Sequence, residues 1–255
     1  MKKFPFIALA LFLWGCGSGP ATEQQASAET KPEAEEAPAA DNTLTEAERA
    51  EGWLLLFDGK SAQGWRGFNQ DTLSANWKVE KGTLMTIRAS EGTEGDIVYG
   101  KQPFDNFDLY LEWKIEKAGN SGIFYHAQEG EQYQAIYENA PEYQLLDDIG
   151  FPQELLPDQY TGAVFGLYVP ADKKPLKVAG KWNSSRIRFT PQQVTYWLNG
   201  KEVLSFEPWS DDWQMRKEIS KWKDYPDYGL AKSGLIGLQD HGSQIWFKNI
   251  KIRPL

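Results

Sequence analysis

From residue 53 onward, short runs of Val, Ile, Leu, Tyr, Phe and Trp alternate with polar residues between Gly, Pro, Asn and Asp. That is the period of half-buried strands. In residues 107–115, Phe107, Leu109, Leu111, Trp113 and Ile115 share one face, and Asp108, Tyr110, Glu112 and Lys114 share the other. Residues 193–198 and 201–206 flank Asn199-Gly200, the signature of a hairpin with a type I′ turn. Residues 184–190 and 244–253 alternate likewise. One helix is expected, over 211–223, with its N-terminal Asp pair as cap. Nothing repeats every 20–50 residues, which argues against a propeller or solenoid. The pattern predicts an all-β domain, a β-sandwich or jelly roll with one short helix.

The N-terminus follows another pattern. Lys2 and Lys3 precede an apolar run, Phe4 to Trp14, too short to span a bilayer, and Leu13-Trp14-Gly15-Cys16 resembles a bacterial lipobox. Residues 1–16 are therefore expected to be a lipoprotein signal segment, with lipid on Cys16 as a membrane anchor. Gly17 after the cysteine resembles lipoproteins sorted to the outer membrane, so the expected location is the cell envelope. Residues 17–50 are rich in Ala, Glu, Pro, Ser and Thr and hold no aromatic residue. Such a stretch cannot offset its chain entropy by burial and reads as a disordered acidic linker, its tail (45–50) forming one helical turn. Residues 51–255 are left as one domain.

Charge and cysteine content narrow the chemistry. The chain carries 27 Lys+Arg against 36 Asp+Glu, net −9, which argues against a nucleic-acid partner. One Cys and two His exclude an internal disulfide, a multi-Cys zinc or iron–sulfur site and a three-His metal centre. No glycine-rich phosphate loop and no G-x-S-x-G elbow is present, and no cofactor motif is evident. A Ca²⁺ or Mg²⁺ site of carboxylates and carbonyls leaves little sequence trace, so a divalent cation stays open. Eleven Trp fit either a thick β core or a sugar-binding surface.

Four clusters carry candidate chemistry. Along Glu142-Tyr-Gln-Leu-Leu-Asp147, Glu142 and Gln144 share a face about 6.6–6.8 Å apart, while Asp147 points away unless a bulge intervenes. This run is similar to the E-x-D-x-x-E strand of laminarinase-like glycosidases, but Gln144 replaces the central carboxylate, so a two-carboxylate retaining mechanism is not supported. Asn120-Ser121-Gly122, ahead of His126, reads as a turn or as a place where substrate approaches backbone. Gln239, Asp240 and His241 end an apolar run, where Asp240 would orient the imidazole or bind sugar hydroxyls. Arg186 and Arg188 either clamp an anion or carbonyl or pair with neighbouring acids. Each cluster also has a bland reading as solvated edge or loop.

Ordered pieces from Trp53 to Leu255 carry a resemblance: Leu56-Phe-Asp-Gly-Lys60 with Trp65, Asn106 to Trp113, Gly119-Asn-Ser-Gly-Ile-Phe124, the Glu142 run, Trp197-Leu-Asn-Gly200, Gly237-Leu-Gln-Asp-His-Gly242 and 247–255. Together they resemble the 3-keto-disaccharide hydrolase domain family. That resemblance implies a concanavalin A-like jelly-roll sandwich acting on glycosides whose C3 hydroxyl has become a ketone, with a partner sugar oxidoreductase performing the oxidation. A C3 ketone acidifies the C2 proton, so one base can initiate elimination of the C1 leaving group, with or without later hydration. The expected catalytic groups are His241, oriented by Asp240, then Glu142, with Asp147 assisting. Gln144, Gln239, Asn120 and His126 would hold the sugar, and Arg186 or a cation the enolate. His126 stands where relatives often carry Arg, and 211–228 is unusually rich in Trp and Lys, able to reshape the cleft. The rival expectation is a lectin-like surface lipoprotein that binds glycans without chemistry.

Overall fold

The computed structural model describes residues 40–88 and 95–255. Thirteen strands form two antiparallel sheets: β1 (Leu54–Leu55), β2 (Trp65–Gly67), β3 (Trp77–Glu80), β4 (Thr83–Thr86), β5 (Ile97–Tyr99), β6 (Phe107–Ile115), β7 (Asn120–Ala127), β8 (Glu142–Leu146), β9 (Asn183–Phe189), β10 (Val194–Leu198), β11 (Lys201–Phe206), β12 (Leu235–Leu238) and β13 (Ile245–Pro254). The larger sheet runs β11-β10-β9-β6-β13-β4-β3, with β1 beside β13; the smaller runs β2-β5-β12-β7-β8. The expected all-β jelly-roll sandwich is the observed architecture.

Alternation builds the core. Leu109, Leu111 and Trp113 of β6 and Ile187 and Phe189 of β9 face Ile123 and Tyr125 of β7 and Tyr143 and Leu145 of β8. The sheets are pinned where the Tyr125 and Tyr196 hydroxyls meet at 2.7 Å. Asn199 and Gly200 take φ of 47° and 79°, as the I′ hairpin requires. Asp108, expected on the solvated face of β6, is instead fully covered, because Arg186 Nε donates to its Oδ1 at 2.6 Å and Arg253 closes over it.

Two boundaries differ from expectation. Residues 40–50, assigned to the linker, lie on the body: Asn42 exchanges hydrogen bonds with Asn249, and Leu44 is buried. A capping box from Thr45 starts α1 (Glu46–Ala50), the helical turn expected there. The later helix, α2 (Asp211–Ile219), stops four residues short of 223. Ser220 is extended and its hydroxyl accepts from Trp222 N, starting a separate 3-10 turn, Lys221–Asp224. Ser210, not the Asp pair, caps α2; Asp211 and Asp212 sit in its first turn, where the helix dipole favours acids. Residues 1–16, Cys16 and the linker up to residue 39 lie outside the described residues. Among the described residues no helix is long and apolar enough to cross a membrane.

The Trp content splits. Trp65, Trp77, Trp113, Trp213 and Trp222 are buried, while Trp53, Trp182, Trp197, Trp209 and Trp246 are partly covered. A stack of Phe206, Trp213, Tyr228 and Trp222, the last pair 3.9 Å apart, docks α2 and its 3-10 turn onto the sandwich.

Candidate active site

The outward face of β7 and β8 is short of side-chain bulk where Gly122 faces the strand pair, and a cavity of about 450 Å³ opens there. Glu142 and Gln144 line it together, as strand parity predicts, with Asn120 from β7 and Gln239, Asp240 and His241 from the segment after β12. Six of the nine expected site residues of the domain therefore converge. Gln144 Nε2 donates to Asn120 Oδ1 at 2.8 Å, fixing both amides.

Glu142 is 3% exposed, and among the described residues no hydrogen-bond donor is paired with its carboxyl. Burial pushes its pKa up to about 8; the negative Asp96 adds to the rise and the Lys221 ammonium opposes it. Gly122 makes room for this carboxyl. A Cβ at 122 would collide with Glu142 Oε1 and stand 2.7 Å from its Cδ. The glycine of Asn-Ser-Gly thus serves a protein carboxyl, and neither the simple turn nor the substrate-approach reading describes it.

Sequence reasoning missed several walls of the cavity. Asp96, just before β5, accepts from Asp240 N at 2.9 Å. Lys221 reaches in from the 3-10 turn with Nζ 4.2 Å from the ring centroids of Phe165 and Trp222. Desolvation lowers the pKa of its ammonium. Trp222, buried and donating from Nε1 to Phe165 O at 2.8 Å, fixes where Lys221 emerges. Ile136 and Tyr137 form the facing wall, and Tyr137 offers a partly exposed ring. The Trp- and Lys-rich composition of 211–228 was the available signal for Lys221; Asp96 and Tyr137 left none.

Three expected residues lie elsewhere. Asp147 is buried with Oδ2 accepting from Ala118 N at 2.9 Å, so it holds the β6–β7 turn, and no bulge brings it to the cavity. Arg186 sits on the outer face of the larger sheet, committed to Asp108 and lying over Trp197. His126 is buried between the Asp105 and Ala231 carbonyls and packs against Phe189, with burial lowering its pKa. The Asp240–His241 partnership also fails. Asp240 Oδ2 accepts from Asn76 Nδ2 and Gly95 N, and Oδ1 accepts from Gly242 N. His241 stands at the exposed rim, and among the described residues no hydrogen bond orients it. Gln239 Oε1 is buried without a hydrogen-bond partner among the described residues. Among the described residues no group of three or more His, Cys, Asp or Glu side chains converges as a metal site.

Residues 52–253 match the family of 3-keto-alpha-glucoside-1,2-lyase-like domains. A Bacteroides thetaiotaomicron protein named 3-keto-disaccharide hydrolase is 34% identical over 232 residues, which cover 81% of this chain and 79% of that protein. A crystal structure from Parabacteroides distasonis, named as a candidate glycosyl hydrolase, shares 42% identity at a TM-score of 0.79, covering 85% of this chain and all of that one. A second candidate glycosyl hydrolase structure from the same species shares 28% identity at a TM-score of 0.56, covering 75% and 99%.

Proposed function

The chain belongs to the 3-keto-alpha-glucoside-1,2-lyase-like domain family and is a glycoside-cleaving enzyme; from that premise we propose that it cleaves 3-keto-glycosides by removing the C2 proton with Glu142. The observation that carries this reading is the buried Glu142 carboxyl in the cavity wall, without a hydrogen-bond donor among the described residues and with the Lys221 ammonium acting on it. A carboxylate held near pKa 8 is a far stronger base than a solvated one, and its strength suits operation close to neutral pH.

In this scheme the Glu142 carboxylate takes the proton from C2, and the C–H electron pair moves onto the C3 oxygen as an enolate. Lys221 offsets that charge in a partly dehydrated setting. The enolate then collapses, the C1=C2 bond forms, and the C1–oxygen bond breaks. The leaving oxygen is protonated from the solvent side, where His241 stands. Addition of water at C1, with delivery to C2 of a proton that has exchanged with solvent on Glu142, gives net hydrolysis; release before that step gives the unsaturated sugar. Gln144 and Asn120 present a fixed amide pair to sugar hydroxyls, and Tyr137 a ring face for the pyranose.

The supply of substrate falls to a partner oxidoreductase that makes the C3 ketone. Acylation at Cys16 would hold the enzyme at the outer membrane; metabolic labelling with a fatty acid, lost in Cys16→Ser, tests that. The catalytic reading is tested by cleavage of a 3-keto-glucoside in D₂O. Deuterium at C2 of the product sugar, and loss of turnover in Glu142→Gln, are expected. A product with protium at C2, or an active Glu142→Gln, overturns the reading.

A further inference from the structure

Phe165 and Lys221 close one side of the cavity over Glu142, and the same two residues wall a second hollow of about 420 Å³. Its remaining apolar walls come from three separate segments: Leu156, Leu167 with Val169, and Ile219 at the end of α2. Leu156 is 63%, Val169 47% and Ile219 80% exposed. Single exposed apolar side chains are ordinary, but several gathered around one depression mark a binding surface.

Most polar groups around this hollow are already engaged; the exception is Asp158, whose Oδ1 is buried with no hydrogen-bond partner among the described residues. Gln159 Oε1 accepts from Leu156 N at 2.8 Å, and the Ser220 hydroxyl donates to Lys217 O at 3.0 Å. Arg216 is paired with Asp212 and lies over the Tyr168 ring. A second sugar bound here would surrender several hydroxyl–water hydrogen bonds for few protein partners, which is unfavourable. An apolar ring would lose little and would cover Leu156, Val169 and Ile219.

Resting on the reading of the cavity as the site of 3-keto-glycoside cleavage, we infer that this second hollow is the leaving-group subsite and that it selects an apolar, ring-bearing aglycone over a second sugar. The bond broken is C1–oxygen, so the aglycone must project out of the cavity past one of its walls. The Phe165–Lys221 wall has a further hollow behind it. Lys221 would then sit above the junction of the two subsites, its stem packed on the aglycone side and its ammonium toward the sugar.

The test compares kcat/KM for three substrates: the benzyl and methyl 3-keto-glucosides, whose leaving alkoxides have similar basicity, and a 3-keto-disaccharide. Leu156→Ser/Ile219→Ser is the variant, since both side chains are exposed and carry no part of the core. The wild-type enzyme is expected to favour the benzyl substrate over the methyl one by about tenfold or more, the scale on which apolar pockets discriminate. The benzyl substrate should also exceed the disaccharide. The double variant should lose most of that advantage with the methyl rate unchanged. Equal rates on benzyl and methyl substrates, a preference for the disaccharide, or a variant that slows both glucosides alike would overturn the subsite while leaving the function standing. Cleavage of none of the three by the wild type would bring down the reading of the cavity, and the subsite with it.

Discussion

Each sheet buries an acid on its outward side, and the two are treated in opposite ways. Asp108, on the larger sheet, is fully covered and receives Arg186 and Arg253. Glu142, on the smaller, is almost as buried, has no hydrogen-bond donor among the described residues, and has Asp96 pushing its pKa further up. A charge-paired buried acid is a structural element; an unpaired one is held at a cost in stability that the rest of the fold must absorb. The contrast separates the face that holds the sandwich together from the face that does chemistry.

The largest break in this contrast should come from the smallest group. Gly122→Ala puts a methyl where the Glu142 carboxyl lies. Displacing a catalytic group by about 1 Å costs roughly 10²-fold in rate, so kcat/KM on a 3-keto-glucoside should fall by about that much. Circular dichroism and the melting profile should show an intact sandwich. Unchanged activity would mean that the position of the carboxyl does not matter to the reaction.

Exchanging each acid for its amide should move stability in opposite directions. Asp108→Asn leaves two arginines with a weaker acceptor. We expect a loss of about 2–3 kcal/mol by chemical denaturation, below the full cost of breaking a buried pair because Arg186 is 38% exposed and can rehydrate. Activity per folded molecule should not change. Glu142 works the other way: its pKa rises from 4.5 unfolded to about 8 folded. The folded state therefore binds a proton that the unfolded chain releases between those values, so wild-type stability falls as pH rises from about 4.5 to 8 and then levels. The ceiling on that fall is about 1.4 kcal/mol per pKa unit. Glu142→Gln should abolish the slope and be more stable than wild type at pH 8.

Lys221 links the two treatments, since among the described residues it is the cation that acts on Glu142. Removing it in Lys221→Met takes away an influence that lowers the Glu142 pKa. The rising limb of kcat/KM against pH should move to higher pH, because the base must ionise without help. A further loss of roughly tenfold at the plateau is expected from the enolate, modest for an oxyanion donor because Lys221 is exposed at the rim. A profile displaced to lower pH would contradict both roles.

What could be read from the chain follows the range of the interactions. Strand parity is local, so β6, the 199–200 hairpin and the shared face of Glu142 and Gln144 were legible. The cavity's other half depends on distant returns: Lys221 is aimed by Trp222, whose place is set by Tyr228 and Phe165. Composition flagged that segment without saying which residue it delivers. Asp147, His126 and Arg186 were misplaced for a common reason. A polar residue beside a strand looks the same in sequence whether it caps a turn, satisfies carbonyls, pairs across a sheet or faces a substrate.

His241 provides the finest test of this distinction. In sequence it was the leading base, because imidazole titrates near neutrality and Asp240 adjoins it. In the structure Asp240 spends both oxygens on Asn76, Gly95 and Gly242, and the imidazole stands exposed at the rim. A positioned acid or base is worth about 10²–10⁴-fold, whereas a group without an orienting partner falls well short of that. His241→Ala should therefore reduce kcat/KM by no more than about fivefold on a substrate with an alkoxide leaving group, and less still when the leaving group is a phenoxide that departs without a proton. C2 deuterium exchange should proceed at the wild-type rate, since that step belongs to Glu142. If His241→Ala instead abolishes exchange while Glu142→Gln retains it, the base is the rim histidine, and the buried carboxyl joins Asp108 as a feature of the fold.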